Sequence, residues 1–92
     1  MTYKVRYSSK FQKDLKRMQK RGLKLVLLTE VIKKLVQGEK LPLKNKDHPL
    51  IGNFAGCREC HIKSDWLLIY EIDLVSKILY LVRTGTHNDL FE

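Results

Sequence analysis

Three histidines fall at positions 48, 61 and 87, each beside a turn signal or an expected strand end: His48 before Pro49, His61 ahead of Asp65, and His87 after Thr84-Gly85-Thr86. An imidazole titrates near neutrality, so a pair can take a proton from a nucleophile and deliver one to a leaving group without a metal. Cleavage of RNA through its own 2′-hydroxyl needs that pairing. One group deprotonates the hydroxyl, another protonates the departing 5′-oxygen, and a cation such as Arg83 or Arg58 stabilises the five-coordinate phosphate. Pattern alone leaves surface or structural roles open for all three imidazoles, and such roles are the commoner ones.

Cys57-Arg58-Glu59-Cys60-His61 has the C-x-x-C-H spelling of covalent haem attachment. Both methionines, Met1 and Met18, lie upstream, which leaves no downstream axial Met. On a strand, moreover, residues 57 and 60 point to opposite faces. The same divergence disfavours zinc, although Cys57, Cys60, His48, His61 and His87 are all ligand types. A disulfide does not suit a reducing cytoplasm. The cysteines read as small hydrophobes, and no metal or cofactor is expected.

The elements that must hold these residues are legible from periodicity. Tyr3 to Tyr7 alternates apolar and charged residues, as a short half-buried strand does. Ser9 and Gln12 then have the spacing of a capping box, Phe11, Leu15 and Met18 form a helical stripe, and Gly22 marks the end. A second helix is predicted over most of Leu23 to Gln37, with Leu25, Leu28, Ile32 and Leu35 inward and Gly38 as its stop. Residues 39–56 lose periodicity at Pro42, Pro49, Gly52 and Gly56, yet Leu41, Leu43, Leu50, Ile51 and Phe54 imply a packed loop presenting His48. Three strands follow, about Cys57 to Lys63, Trp66 to Ile72 and Lys77 to Val82, with a reversal at Lys63-Ser64 and the middle strand apolar on both faces. A short amphipathic tail ends in Leu90 and Phe91. The expectation is one α+β domain over residues 1–92: strand, helical hairpin, three-strand meander and tail.

The chain carries a formal charge of +8, and the excess belongs to one half. Residues 1–40 hold twelve Lys or Arg against three acids, whereas residues 41–92 hold six against seven. Lys13, Lys16, Arg17, Lys20 and Arg21 crowd the first helix, a field that attracts RNA or an acidic protein. The longest apolar runs, Leu25 to Leu28 and Trp66 to Tyr70, are far below the roughly 20 residues of a membrane span. The amino terminus also lacks the pattern of a secretory signal, so a cytoplasmic location is expected.

Asp47-His48-Pro49-Leu50-x-Gly52, Arg58-Glu59-x-His61-x-x-x-Asp65-Trp66-x-x-Ile69-Tyr70 and Arg83-Thr84-Gly85-Thr86-His87-x-x-Leu90-Phe91 stand in that order. Together they resemble the YafQ-type branch of the RelE/ParE toxin superfamily, and the resemblance covers nearly the whole chain. It implies a RelE-like ribonuclease fold and an endoribonuclease that cleaves mRNA in the ribosomal A site by metal-independent transesterification, inhibiting translation. It further implies His87 as general acid, His48, His61 and Asp65 as base and orienting group, Glu59 as support, and Phe91 against an RNA base; Arg83, the candidate cation, is expected to support the site or bind substrate. Phe54 stands where such proteins commonly have Trp. The implied partners are mRNA, ribosomal RNA and an acidic antitoxin, the last two meeting the basic helices. Two other readings compete: a non-catalytic module of the same fold that binds RNA or protein, and a ParE-like gyrase inhibitor, which would need no acid–base pair.

Overall fold

In the computed structural model, which describes residues 2–92, the expected opening strand forms as β1, Lys4–Tyr7. It is not half-buried as its alternation suggests. All four residues are exposed, because β1 lies at a sheet edge and has a strand on one side only. Helix α1, Ser9–Lys20, is capped by Ser8 rather than by Ser9 with Gln12: the Ser8 hydroxyl accepts from the Phe11 N–H at 3.0 Å. The same hydroxyl donates to the Val82 carbonyl at 2.7 Å, so the cap is set where the chain is also tied to the sheet. Gly22, at φ +84°, makes the left-handed exit that ends the helix.

Helix α2, Leu25–Val36, occupies most of the expected range and buries Leu28, Val31 and Leu35. The expected loop over 39–56 contains a short strand, β2 (His48–Pro49), between single 3₁₀ turns at Leu43–Asn45 and Gly52–Phe54. Leu41 is buried and Leu50 and Phe54 pack on the core, but Leu43 and Ile51 are almost fully exposed, contrary to the packed-loop expectation. Strands β3 (Arg58–Lys63), β4 (Trp66–Asp73) and β5 (Ile78–Gly85) form the meander, and the tail closes as helix α3, His87–Phe91. The reversal between β3 and β4 lies at Ser64-Asp65, one residue later than predicted, since Lys63 still pairs with Trp66.

The sheet has five strands in the order β1-β5-β4-β3-β2, antiparallel except for the parallel β1–β5 pair. The α+β class and the strand, hairpin and meander order hold as expected, with β2 added. Strand β4 is central, and Trp66 to Tyr70 are buried on both faces. On one side Trp66, Leu68 and Tyr70 meet Phe11, Met18, Leu28 and Leu35 of the helices; on the other Leu67 and Ile69 meet Leu90 of α3 and Leu50 and Phe54. An irregularity opposite Ile69/Tyr70 leaves Val82 without a partner, since Ile69 pairs with Arg83 and Tyr70 with Leu81. The extra residue resets alternation, so that Leu81 and Thr84 both serve the helix-side core. Among the described residues no helix is long and apolar enough to cross a membrane.

Thr84 is fully buried and joins the two central strands by side chain as well as by ladder. Its hydroxyl accepts from the Trp66 indole N–H at 2.9 Å and donates to the Leu67 carbonyl at 2.7 Å. Thr84→Val keeps the shape but strands a buried indole donor, which costs about 1–3 kcal/mol. Urea unfolding followed by tryptophan fluorescence should show a loss in that range; an unchanged midpoint would mean that the indole finds another acceptor.

Candidate active site

Strand β3 carries Glu59 and His61 two residues apart and therefore on one face, the face of their cross-strand partners Ile69 and Leu67. The β2–β3 register sets His48 directly opposite Glu59. Glu59 is buried, and its Oε1 lies 3.5 Å from His48 Nε2 and 3.9 Å from His61 Nε2. Two imidazoles thus share one carboxylate. The other ring nitrogen of His48, Nδ1, lies 2.6 Å from the Lys46 carbonyl, an acceptor, so Nδ1 carries the hydrogen and Nε2 is the atom that faces Glu59. Buried Asn45 donates to the His61 carbonyl at 2.7 Å and fixes that end of β3. Asp47, next to His48, accepts from the Tyr70 hydroxyl and from Arg58 Nε at 2.8 Å, which ties the loop to the sheet. Burial and the Asp47 carboxylate push the Tyr70 hydroxyl well above its ordinary pKa, so it remains a donor.

His87 opens α3 on the exposed side of that same face. Its backbone N–H donates to Asp65 Oδ1 at 3.1 Å, so Asp65, expected beside His48 and His61, is joined to His87 through the main chain. The His87 and Phe91 rings are 5.0 Å apart, and Phe91 meets Phe54 edge-on at 5.7 Å. Leu90 and Phe54 belong to the small core over Leu67 and Ile69, the partners of His61 and Glu59. His48, Glu59, His61, His87 and Phe91 are thereby gathered around one apolar patch, with Asp65 at its rim. Phe54 joins them as a residue the acid–base pattern could not single out.

Arg83 points elsewhere. Its Nε and Nη2 donate to Asp14 at 2.6 and 3.0 Å, and Asp14, only 1% exposed, also accepts from Arg17 and from the Thr84 N–H at 3.2 Å. Asp14 is the one acid of the first helix and sits on its buried stripe, a signal that charge counting passes over. Arg21 is bound bidentate to Asp89, at 2.6 and 3.1 Å, while Lys13, Lys16 and Lys20 are exposed. Of Lys13, Lys16, Arg17, Lys20 and Arg21, three are thus free on the surface of α1 and two, Arg17 and the C-cap Arg21, are held in ion pairs. Cys57 packs on the α3 side and Cys60 in the helix-side core, on opposite faces as their spacing predicts. Burial pushes the Cys60 thiol up to about 12 and the Cys57 thiol above its ordinary value, so neither is a thiolate at neutral pH. Among the described residues no group of three or more His, Cys, Asp or Glu side chains is arranged to hold a metal ion.

This architecture is that of small bacterial toxins. The crystal structure of a metal-bound toxin from Helicobacter pylori superposes with a TM-score of 0.91 at 45% identity, over 99% of this chain and all of the other. A chain of the Escherichia coli DinJ-YafQ toxin-antitoxin complex superposes with a TM-score of 0.90 at 38% identity over the whole of both. The mRNA interferase toxin YafQ of Escherichia coli K12 is 41% identical over 88 residues, 95% of this chain and 94% of that protein. The family model for YafQ, bacterial toxins of type II toxin-antitoxin systems, matches residues 3–92, and the chain belongs to that family.

Asp89 is the residue whose ionisation the fold perturbs most clearly in this region. The Arg21 guanidinium foremost, and then the Thr86 N–H and hydroxyl, hold its carboxyl well below the ordinary 3.8, against the opposing effect of burial. A depressed folded-state value means a contribution to stability that is complete above the unfolded value and is lost as pH falls through the folded one. Wild-type stability should therefore decline with pH below about 4, and Asp89→Asn should flatten that decline. Chemical unfolding at pH 6, 4 and 3 checks this, and an equally steep loss in the variant would assign the acid sensitivity to other carboxylates.

Proposed function

We propose that this chain, working as one domain, is an mRNA endoribonuclease toxin that cuts ribosome-bound message by metal-independent acid–base transesterification and so inhibits translation. The observation that carries the reading is the carboxylate-centred pair, His48 and His61 on Glu59, set on the same face of the sheet as His87. Family membership and the mRNA interferase name of the Escherichia coli relative support the substrate. His48 Nε2 or His61, with Glu59 stabilising the imidazolium, takes the 2′-hydroxyl proton. The resulting oxyanion attacks the adjacent phosphorus, the bond to the 5′-oxygen breaks, and His87 protonates that leaving oxygen. A 2′,3′-cyclic phosphate and a 5′-hydroxyl end remain. Asp65 orients the start of α3 and Phe91 stacks on a base, while Arg83, held by Asp14, supports the end of β5 from which α3 starts.

The exposed Lys13, Lys16 and Lys20 suit ribosomal RNA and an acidic antitoxin, and the second partner agrees with the DinJ-YafQ complex of the Escherichia coli relative. A protein that acts on messages and ribosomes and is bound by an antitoxin works in the cytoplasm, which is the location this reading carries with it. A non-catalytic module or a gyrase inhibitor would have no use for two imidazoles on one buried carboxylate.

Induction without a partner should arrest growth, and mapping of 5′-hydroxyl ends should find new ends within translated messages. His87→Ala should lower cleavage by roughly 10² to 10⁴ and relieve the arrest. Undiminished cleavage by a folded His87→Ala protein would remove His87 from the role of acid. Purified ribosome complexes should be cut equally well in EDTA; loss of cleavage there would overturn the metal-independent mechanism.

A further inference from the structure

Helix α3 contains five residues, far too few to persist in water without external support. Part of that support comes from Leu90 in the small core, from Asp65 on the His87 N–H, and from a capping box in which Thr86 and Asp89 exchange bonds at 3.2 and 2.9 Å. Asp89 carries a second load. Arg21, just past the end of α1, grips both carboxylate oxygens, at 2.6 and 3.1 Å, and Arg17 approaches to 3.7 Å. Arg17 also bonds the buried Asp14, so this grip continues into the core.

The seat beneath Asp89 is equally specific. Strand β5 ends at Gly85, where a Cβ would lie 2.9 Å from the Asp89 Cβ and 3.0 Å from its Oδ2. The glycine is needed for that close approach. Residues two apart on a helix stand about 200° around its axis, so His87 and Asp89 lie on opposite sides of α3. A clamp on the Asp89 side therefore fixes the angle at which the His87 side meets the site.

We infer that Arg21 and Asp89, seated over Gly85, are positioning residues that hold the His87 imidazole in register with the Glu59 cluster. The inference rests on the ribonuclease reading for its effect on rate, but not for its effect on the imidazole. Arg21 accordingly has a task distinct from that of the exposed lysines of α1: it orients the site rather than attracting polyanions.

Steady-state cleavage of a translated message in a reconstituted system, with Arg21→Ala, Asp89→Asn, their double variant and Gly85→Ala, separates these roles. Each variant should lose about tenfold in kcat, inside the roughly 10²-fold that a 1 Å misplacement can cost, and the double variant should be no slower than either single one. If Arg21 served only to attract RNA, Arg21→Ala would raise KM, Asp89→Asn would lower it, and kcat would stand still. Gly85→Ala alters no charge, so a fall in its kcat at unchanged KM reports position alone. The ring resonances of His87, read by NMR without RNA, should shift in all four proteins. Unshifted resonances in folded Arg21→Ala would overturn the inference, as would kcat within twofold of wild type. If wild type itself cuts nothing while the His87 resonances still move, the ribonuclease reading fails and the clamp stands.

Discussion

A single buried carboxylate ties the two layers of this molecule together. Asp14 projects from the middle of a strongly basic helix and, at 1% exposure, meets two guanidinium groups and one backbone amide. An unpaired charge at that depth would cost several kcal/mol, so the arrangement persists only because Arg17, Arg83 and the Thr84 N–H converge on it. Through Arg83 and Thr84 it fixes α1 against the far end of β5. That end leads directly into Thr86, Asp89 and His87. The helix layer and the exposed face of the sheet are thus coupled by hydrogen bonds as well as by apolar packing.

The charge asymmetry takes on a more differentiated meaning in this light. Arg17, Arg21 and Arg83 are committed to carboxylates inside the fold, where a planar guanidinium can grip two oxygens at once. The compact ammonium groups of Lys13, Lys16 and Lys20 remain outside. Among these six residues, type therefore separates the ion-paired guanidinium groups from the exposed ammonium groups, although net charge alone treats all of them alike.

Much of this was legible in the sequence because the signals are local and periodic. Phe11 and Met18 recur at helical spacing, and Trp66 to Tyr70 form a run that only a doubly covered strand can bury. Gly22 likewise marks a helix exit by a backbone freedom that other residues lack. What escaped depends on tertiary partners. Strand β2 is two residues long and contains a proline, so no periodicity exists to find; it is a strand because Glu59 and Arg58 lie opposite it. Ser8 outcompetes Ser9 as cap because its hydroxyl also reaches Val82, 74 residues away. The three imidazoles were visible as candidates, but that Glu59 would join His48 to His61, and that Arg83 would turn to Asp14, follows from strand register and from the irregularity beside Val82. The short α3 was readable only as an amphipathic tail, since five residues rely on tertiary partners, the Asp65 and Arg21 side chains and the core around Leu90, in addition to their own capping box.

The pairing of β1 with β5 has a consequence for how the molecule is made. The first strand and the first helix of the chain both dock on the last strand, so neither has its proper partner while the intervening residues are being synthesised. Contacts of such long sequence separation form late and slowly. The face that carries His48, His61 and His87, whose α3 is seated on the end of that same strand, cannot be assembled before β5 has been made. The site is in this way withheld by the topology of the fold until β5 and α3 have been synthesised.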